Sequence, residues 1–394
     1  MFSKRTNWNL EENAYTLAVR GAREAGGRVL DLTASNPTTC GFRYDEAAIL
    51  DALRDPAALT YDPEPKGMPS ARAGVARYYR EMGGVEIDPE RLILTTGTSE
   101  AYSFLFRLLC EPGDEVLIAH PSYPLFEFLA TIQDVTLRPF QFVYDHGWQI
   151  DFHSLREALG ARTRAIVLVH PNNPTGHFVG AAEAEQLNAV CAEQGLALIV
   201  DEVFLDYGLK TATAARKRHG TFAANAAALT FVLSGLSKIA ALPQMKLGWI
   251  ATSGPDELAR DAMARLEVIA DTYLSLNAPL QRALPALLAQ RGAMQKQILA
   301  RVEANLAEMD ARLARQKSVS RLEVEGGWYA VLRVPAVQSD EELAIRLIEE
   351  RGVQVHPGHF YDFADHGYLV VSLLAATEEF REGIGAVLAG VAGI

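Results

Sequence analysis

Amine chemistry is first conceivable at Lys238, in the stretch Ser234-Gly-Leu-Ser-Lys238, with Ser237 beside it and a second lysine at Lys246. Hydroxyls and a second cation around an amine describe an anion site with a nucleophile next to it. A solvated charge on a loop between two strands is the competing reading, and other segments must decide. Gly97-Thr-Ser-Glu-Ala101 carries Thr98 and Ser99 where a strand turns into a helix, so backbone N–H groups and two hydroxyls could seat a phosphate. An ordinary strand-to-helix turn fits equally well. Tyr123, in His120-Pro-Ser-Tyr-Pro124, could stack on a flat ring or fill space. Asn173, in Asn172-Asn-Pro-Thr-Gly176, could donate an amide N–H or make a turn. Asp201 closes the apolar run Leu196-Ala-Leu-Ile-Val200, where a carboxylate without a partner is costly. A cationic or hydrogen-bonded partner is expected for it, helix capping being the alternative.

The elements that must position these groups alternate along the chain. Strands are expected at Leu92–Thr96, Glu115–Ala119, Val135–Val143, Ala165–Val169, Leu196–Val200 and Leu229–Leu233, with a return strand over Lys246–Ala251. Helices are expected near 12–28, 45–54, 124–132 and 181–194, and another opens at Gly97 and runs toward Cys110. Short, continuously apolar strands separated by helices imply a mostly parallel sheet covered on both faces. Ligands of such sheets gather beyond the carboxyl ends of the strands, where most of the polar clusters sit. After Pro279 a long helix over 281–316 suits a link between two domains, and 320–394 reads as a smaller α+β domain.

Composition removes several classes. The chain has 394 residues, 49% hydrophobic and 22% charged, which is ordinary for a globular protein of one large and one smaller domain. A net charge of -12 argues against nucleic acid or an anionic membrane as partner. Cys40, Cys110 and Cys191 are too scattered for a metal motif, and nine histidines show no His-Glu-x-x-His spacing, so no metal is expected. Met1–Asn9 lacks the apolar core of a signal peptide, and no apolar run approaches spanning length, so a cytoplasmic location is expected. Walker and Rossmann glycines are both missing, which removes a nucleotide-dependent α/β enzyme. A cofactor-binding regulatory module has little support, since no basic or helix-turn-helix segment precedes the fold.

A phosphate seat, a ring stacker, an amide donor, a buried carboxylate and an amine have one common user, pyridoxal 5'-phosphate. With these residues in place, the chain resembles the class I/II aminotransferases among the fold-type I pyridoxal phosphate enzymes. The matching segments run from Tyr61…Gly67 through Gly97–Ala101, Pro112–Asp114, Pro121–Pro124, Asn173–Gly176 and Asp201-Glu202 to Ser237-Lys238…Lys246–Trp249. The resemblance implies an α/β fold: a large domain with a mostly parallel seven-stranded sheet between helices, plus a smaller α+β domain. Its implied division is an N-terminal arm at 1–45, a cofactor domain at 46–285 and a small domain at 286–394.

By the same resemblance Lys238 bonds covalently to the cofactor and Asp201 holds its ring nitrogen. Asn173 donates to the ring oxygen and Tyr123 stacks on the ring. Thr98, Ser99, Ser234 or Ser237, and Lys246 hold the phosphate. Tyr61 reaches the phosphate of a partner subunit, implying a homodimer that takes a small-molecule amino donor and a keto acceptor. A decarboxylase or lyase on the same scaffold is the alternative. Three departures stand out. Lys246 replaces the usual arginine, and Phe204 replaces a tyrosine that contacts the ring oxygen. Val370, in Tyr368-Leu-Val-Val-Ser372, occupies the position of the arginine that grips the substrate carboxylate. Asn36 and Arg43, near the Ser35-Asn36-Pro37 turn, are the remaining candidates for substrate contact.

Overall fold

The computed structural model describes residues 1–210 and 218–393. The chain opens with helix α1 (Ala14–Glu24), strand β1 (Leu30–Asp31), α2 (Glu46–Ala52) and α3 (Pro69–Gly83). It then alternates through β2 (Leu92–Thr95), α4 (Thr98–Leu109), β3 (Glu115–His120), α5 (Phe126–Ile132), β4 (Thr136–Tyr144), β5 (Trp148–Ile150) and α6 (Phe152–Ala158). Next come β6 (Thr163–Val169), α7 (Ala181–Gln194), β7 (Ala197–Asp201), β8 (Thr230–Gly235), α8 (Leu236–Ile239), β9 (Gly248–Ser253) and α9 (Asp256–Tyr273). Helix α10 (Ala278–Leu313) leads to β10 (Ser320–Arg321), β11 (Tyr329–Arg333), α11 (Asp340–Arg351), β12 (Val353–Gln354), β13 (His356–Pro357), β14 (Tyr368–Ser372) and α12 (Thr377–Val391).

The main sheet has eight strands in the order β2-β9-β8-β7-β6-β3-β4-β5. Its centre, from β4 to β8, is parallel, while β9 runs antiparallel to both β8 and β2. The expected count was seven. The extra strand is β5, a three-residue edge paired antiparallel to the end of β4 across a turn at His146 and Gly147. Helices α3, α6 and α9 also lie outside the expectations.

Alternation along each strand splits the core in two, as a sheet buried on both faces requires. On β8, Val232 joins the layer with Trp249 and Leu198, whereas Phe231 and Leu233 join the layer with Ile199 and Ile250. A second sheet, β10-β11-β14-β13, carries the C-terminal part, and β1 pairs in parallel with β12, tying the N-terminal segment to that part. Helix α10, 36 residues long, packs on α3 at one end and on α12 at the other.

Candidate functional site

Eight of the expected site residues line one cavity of about 260 Å³ at the carboxyl ends of the strands: Thr98, Ser99, Tyr123, Asn173, Asp201, Ser237, Lys238 and Lys246. The register explains the convergence. Val169 pairs with Asp201, and Asp201 with Leu233, so β6, β7 and β8 end side by side. Lys238 is not on a loop, as the spacing suggested, but in the single helical turn of α8 that follows β8 directly. Leu236 N–H donates to Leu247 O at 3.0 Å, which folds this turn back against the strand that returns.

The floor is built from bare backbone. A side chain at Gly248 would place its Cβ 2.9 Å from Ser234 O and 3.0 Å from the Gly97 Cα. One at Gly235 would lie 2.7 Å from Leu247 O. Three strand ends therefore meet with only hydrogens between them, beside the amino end of α4 where Thr98 and Ser99 sit. Glu100 secures that helix end by accepting from Thr96 N–H at 2.7 Å. Lys246 enters the cavity from a left-handed backbone, φ 51°. A non-glycine residue there costs about 1–2 kcal/mol, strain held at the one position that delivers a second cation.

Asp201 and Lys238 electrostatically complement each other. Burial pushes the Asp201 carboxyl up to about 6, against two donors: Val203 N–H at 3.1 Å and the Tyr102 hydroxyl at 3.3 Å. No ion pair reaches Asp201 among the described residues. Desolvation holds the Lys238 ammonium below its usual range, with Asp201 pulling the other way. Its Nζ lies 5.1 Å from the Trp328 ring centre and 5.7 Å from that of Phe204. The Tyr207 hydroxyl donates to Lys238 O at 2.6 Å, so it anchors the turn and does not substitute for the hydroxyl missing at Phe204. The Asn173 Oδ1 is buried and has no hydrogen-bond partner.

Four expected residues lie elsewhere. Ser234 is buried inside β8 beside Trp249, one residue short of the cavity. Asn36 is exposed, and its Oδ1 accepts from Thr38 N–H at 3.1 Å and Thr38 Oγ1 at 2.7 Å, a local turn cap. Arg43 lines a separate cavity with Tyr44, Leu287 and Arg291. Tyr61, 82% exposed, lines another with Met68, Leu274 and Gln281. Conversely, Ser35, Phe126, Val203 and Tyr329 line the site unannounced. The Gly326-Gly327 pair before Tyr329 was the available signal, since a side chain at Gly326 would collide with Phe178 and Tyr207 O. No cluster of described residues could hold a metal ion. No described helix is long and apolar enough to cross a membrane.

The residues fit pyridoxal phosphate. A buried carboxylate without a cation suits a protonated ring nitrogen, and the Asn173 side chain in the cavity has an amide N–H to offer a ring oxygen. A helix end with hydroxyls and Lys246 suits a phosphate. Residues 29–384 match the family Aminotransferase class I and II. The glutamate-pyruvate aminotransferase AlaA of Haemophilus influenzae is 24% identical over 368 residues, covering 92% of this chain and 90% of that protein. The alanine aminotransferase of Mycobacterium tuberculosis is 28% identical over 358 residues, covering 88% and 82%. The solved alanine aminotransferase of Pyrococcus furiosus superposes with a TM-score of 0.89 at 22% identity over the whole of both chains.

The chain belongs to the class I and II aminotransferases. It is a pyridoxal phosphate-dependent transaminase, and the decarboxylase or lyase alternative falls with that membership.

Proposed function

We propose that amino transfer in this chain runs on Lys238, between an amino donor and a keto acceptor taken in turn. The observation that carries the assignment is the meeting of Lys238, Asp201, Asn173 and Lys246 around one cavity. Bound pyridoxal phosphate supplies an electron sink that acidifies the hydrogen on the carbon bearing the substrate's amine. Asp201 keeps the proton on the ring nitrogen. Thr98, Ser99, Ser237 and Lys246 hold the phosphate, and Tyr123 and Val203 wall the ring. Asn173 Nδ2 donates to the ring oxygen. Lys238 Nζ is the base that takes the substrate proton and returns one. Its depressed pKa lets the neutral amine form nearer neutral pH than a free lysine allows. Tyr207, through the Lys238 carbonyl, positions that turn.

Reduction of the loaded protein with borohydride, followed by peptide mapping, tests the reading. The label belongs on Lys238, and recovery on Lys246 or Lys210 refutes it.

We further propose a homodimer. Leu59, Tyr61, Tyr273 and Leu274 are exposed around the cavity that Tyr61 lines, an apolar surface that a second copy would cover. Mixing Lys238→Ala chains with inactive Tyr61→Phe chains should regenerate activity if sites are shared. A fully active monomer at high dilution refutes it. The division into 46–285 and 286–394, with 1–45 as an arm on the smaller part, is consistent with the β1–β12 pairing. The three free cysteines fit a reducing compartment, and we infer the cytoplasm. The alanine and glutamate named for the relatives are not carried to this chain, because no described arginine lines its cavity.

A further inference from the structure

The charges of the cavity are few. Among its described lining residues only Asp201, Lys238 and Lys246 are ionisable as acid or strong base; the rest are hydroxyl, amide, aromatic or aliphatic groups. On the reading above, on which this inference rests, all three are engaged by the cofactor. A phosphate carries about two negative charges at neutral pH, against a single Lys246. Asp201 and the ring nitrogen cancel each other. The loaded cavity is therefore already anionic, and a further carboxylate entering it would be desolvated against like charge with no cation among this chain's described lining residues to receive it.

The strands beyond the cofactor position are uncharged as well. Tyr329 lines the cavity, and residues two apart on a strand share a face, so Val331 shares that face. Its partner Val370 and, across β14, His356 lie on the same side in register. Val331 and Val370 are fully buried. The His356 Nδ1 sits 3.0 Å from the Tyr361 hydroxyl, and burial lowers its pKa to about 4, so the ring is neutral at physiological pH. Ser35 and Tyr329 bring only uncharged hydroxyl groups to this wall. Arg301, on α10, donates to the carbonyls of Cys40, Leu374 and Ala375 at 3.3, 3.0 and 3.2 Å and lines no part of the cavity.

We propose that the amino donor is a primary amine whose carbon carries an uncharged, largely apolar substituent where an amino acid carries its carboxylate. Ser35 and Tyr329, which line the cavity, determine that specificity.

The test uses the loaded dimer and matched donors sharing one side chain: phenylalanine, phenylalaninamide and 2-phenylethylamine, then leucine, leucinamide and isoamylamine. Single-turnover absorbance reports conversion of the cofactor to its amine form, read as a second-order rate constant across pH 7–9. The neutral member of each set should react at least about tenfold faster than its amino acid, the scale of one lost charge-assisted contact. An amino acid that equals or exceeds its neutral partners overturns the inference while leaving the transaminase intact, whichever subunit supplied the grip. No conversion by any donor, from a protein that still carries the cofactor on Lys238, overturns this inference and the transaminase reading together.

Discussion

The floor and the rim of the cavity follow opposite rules. On the floor the polar groups are held away from their own preferred states: the Asp201 carboxyl is pushed up, the Lys238 ammonium is pushed down, and Lys246 is left-handed. At the rim, Ser35 and Tyr329 bring only uncharged hydroxyls, and His356 contacts the Tyr361 hydroxyl. The floor is incomplete without a ligand of matching charge, and the rim carries no charge for one to match. Incompleteness in a folded chain points to what it binds tightly; an uncharged wall points to a neutral, loosely specified neighbour.

Removing the amine should break the floor most severely. Lys238→Ala is expected to lower amino transfer by at least about a thousandfold and to leave a cofactor that dialyses away and resists borohydride trapping. Retention of even a tenth of the activity would move the base elsewhere. Asp201→Asn should cost about a hundredfold in rate, and its effect on the ligand-free chain has the opposite sign. The Asp201 carboxyl titrates near 6 in the fold against the ordinary 3.8, so the folded chain holds this proton to higher pH than the unfolded one. Stability from this group is therefore fullest below about pH 4, falls as pH rises from about 4 to 6, and is level above. Ligand-free Asp201→Asn should lack that fall and exceed the wild type by on the order of 2 kcal/mol at pH 7. Thermal unfolding of both apoproteins between pH 4 and 8 measures it. A variant weaker than wild type throughout would show that Val203 and Tyr102 already satisfy the carboxylate.

That floor was the legible part of the sequence. Each of its groups comes at the end of a strongly apolar strand or at a strand-to-helix turn, where a polar residue is conspicuous. Lys238 was found in this way even though its one-turn helix was read as a loop, since four residues carry no periodicity. The rim was not legible. Ser35 and Tyr329 are far apart in sequence, and their meeting depends on how β11, from the C-terminal sheet, approaches the turn after β1. Val370, singled out by the resemblance, is fully buried in β14 and lines no part of the cavity. Arg43 failed for the same reason: proximity to Asn36 in sequence did not predict that Gln297 would hold its backbone, N–H to Oε1 at 3.0 Å, beside a different cavity. The eighth strand escaped because three residues are too few to show alternation.

A smaller effect separates charge from backbone strain. Lys246→Ala should weaken cofactor binding about tenfold to a hundredfold, as expected for one charge-assisted contact, and Lys246→Arg should restore most of it. Lys246→Gly should bind as poorly as the alanine variant. Its ligand-free form should nevertheless be at least as stable as wild type, because glycine accepts φ 51° without the left-handed penalty. Fluorescence titration and thermal unfolding read the two quantities apart. A glycine variant that loses stability would mean that Lys246 makes a structural contact, and the floor would be less open to its ligand than argued.

The smallest expected effect lies where floor and rim meet, at Phe204. Its ring packs edge-on against Trp328 at 5.2 Å between centres and is buried, so this corner offers the cofactor no hydroxyl. Tyr207 cannot supply one, because its own hydroxyl is committed to Lys238 O. On the proposed reading Asn173 is then the one side-chain donor to the ring oxygen. That oxygen bears negative charge when the neighbouring imine nitrogen is unprotonated, and a second donor would favour the unprotonated form. Phe204→Tyr should therefore lower the pH at which the bound cofactor's absorbance shifts, by about one unit for one added hydrogen bond. Activity need not rise, since the hydroxyl acts on the cofactor and not on the donor amine. Titration of the tyrosine variant at the same or a higher pH would mean that its hydroxyl turns away toward Trp328, and that the ring oxygen does not lie between Asn173 and residue 204.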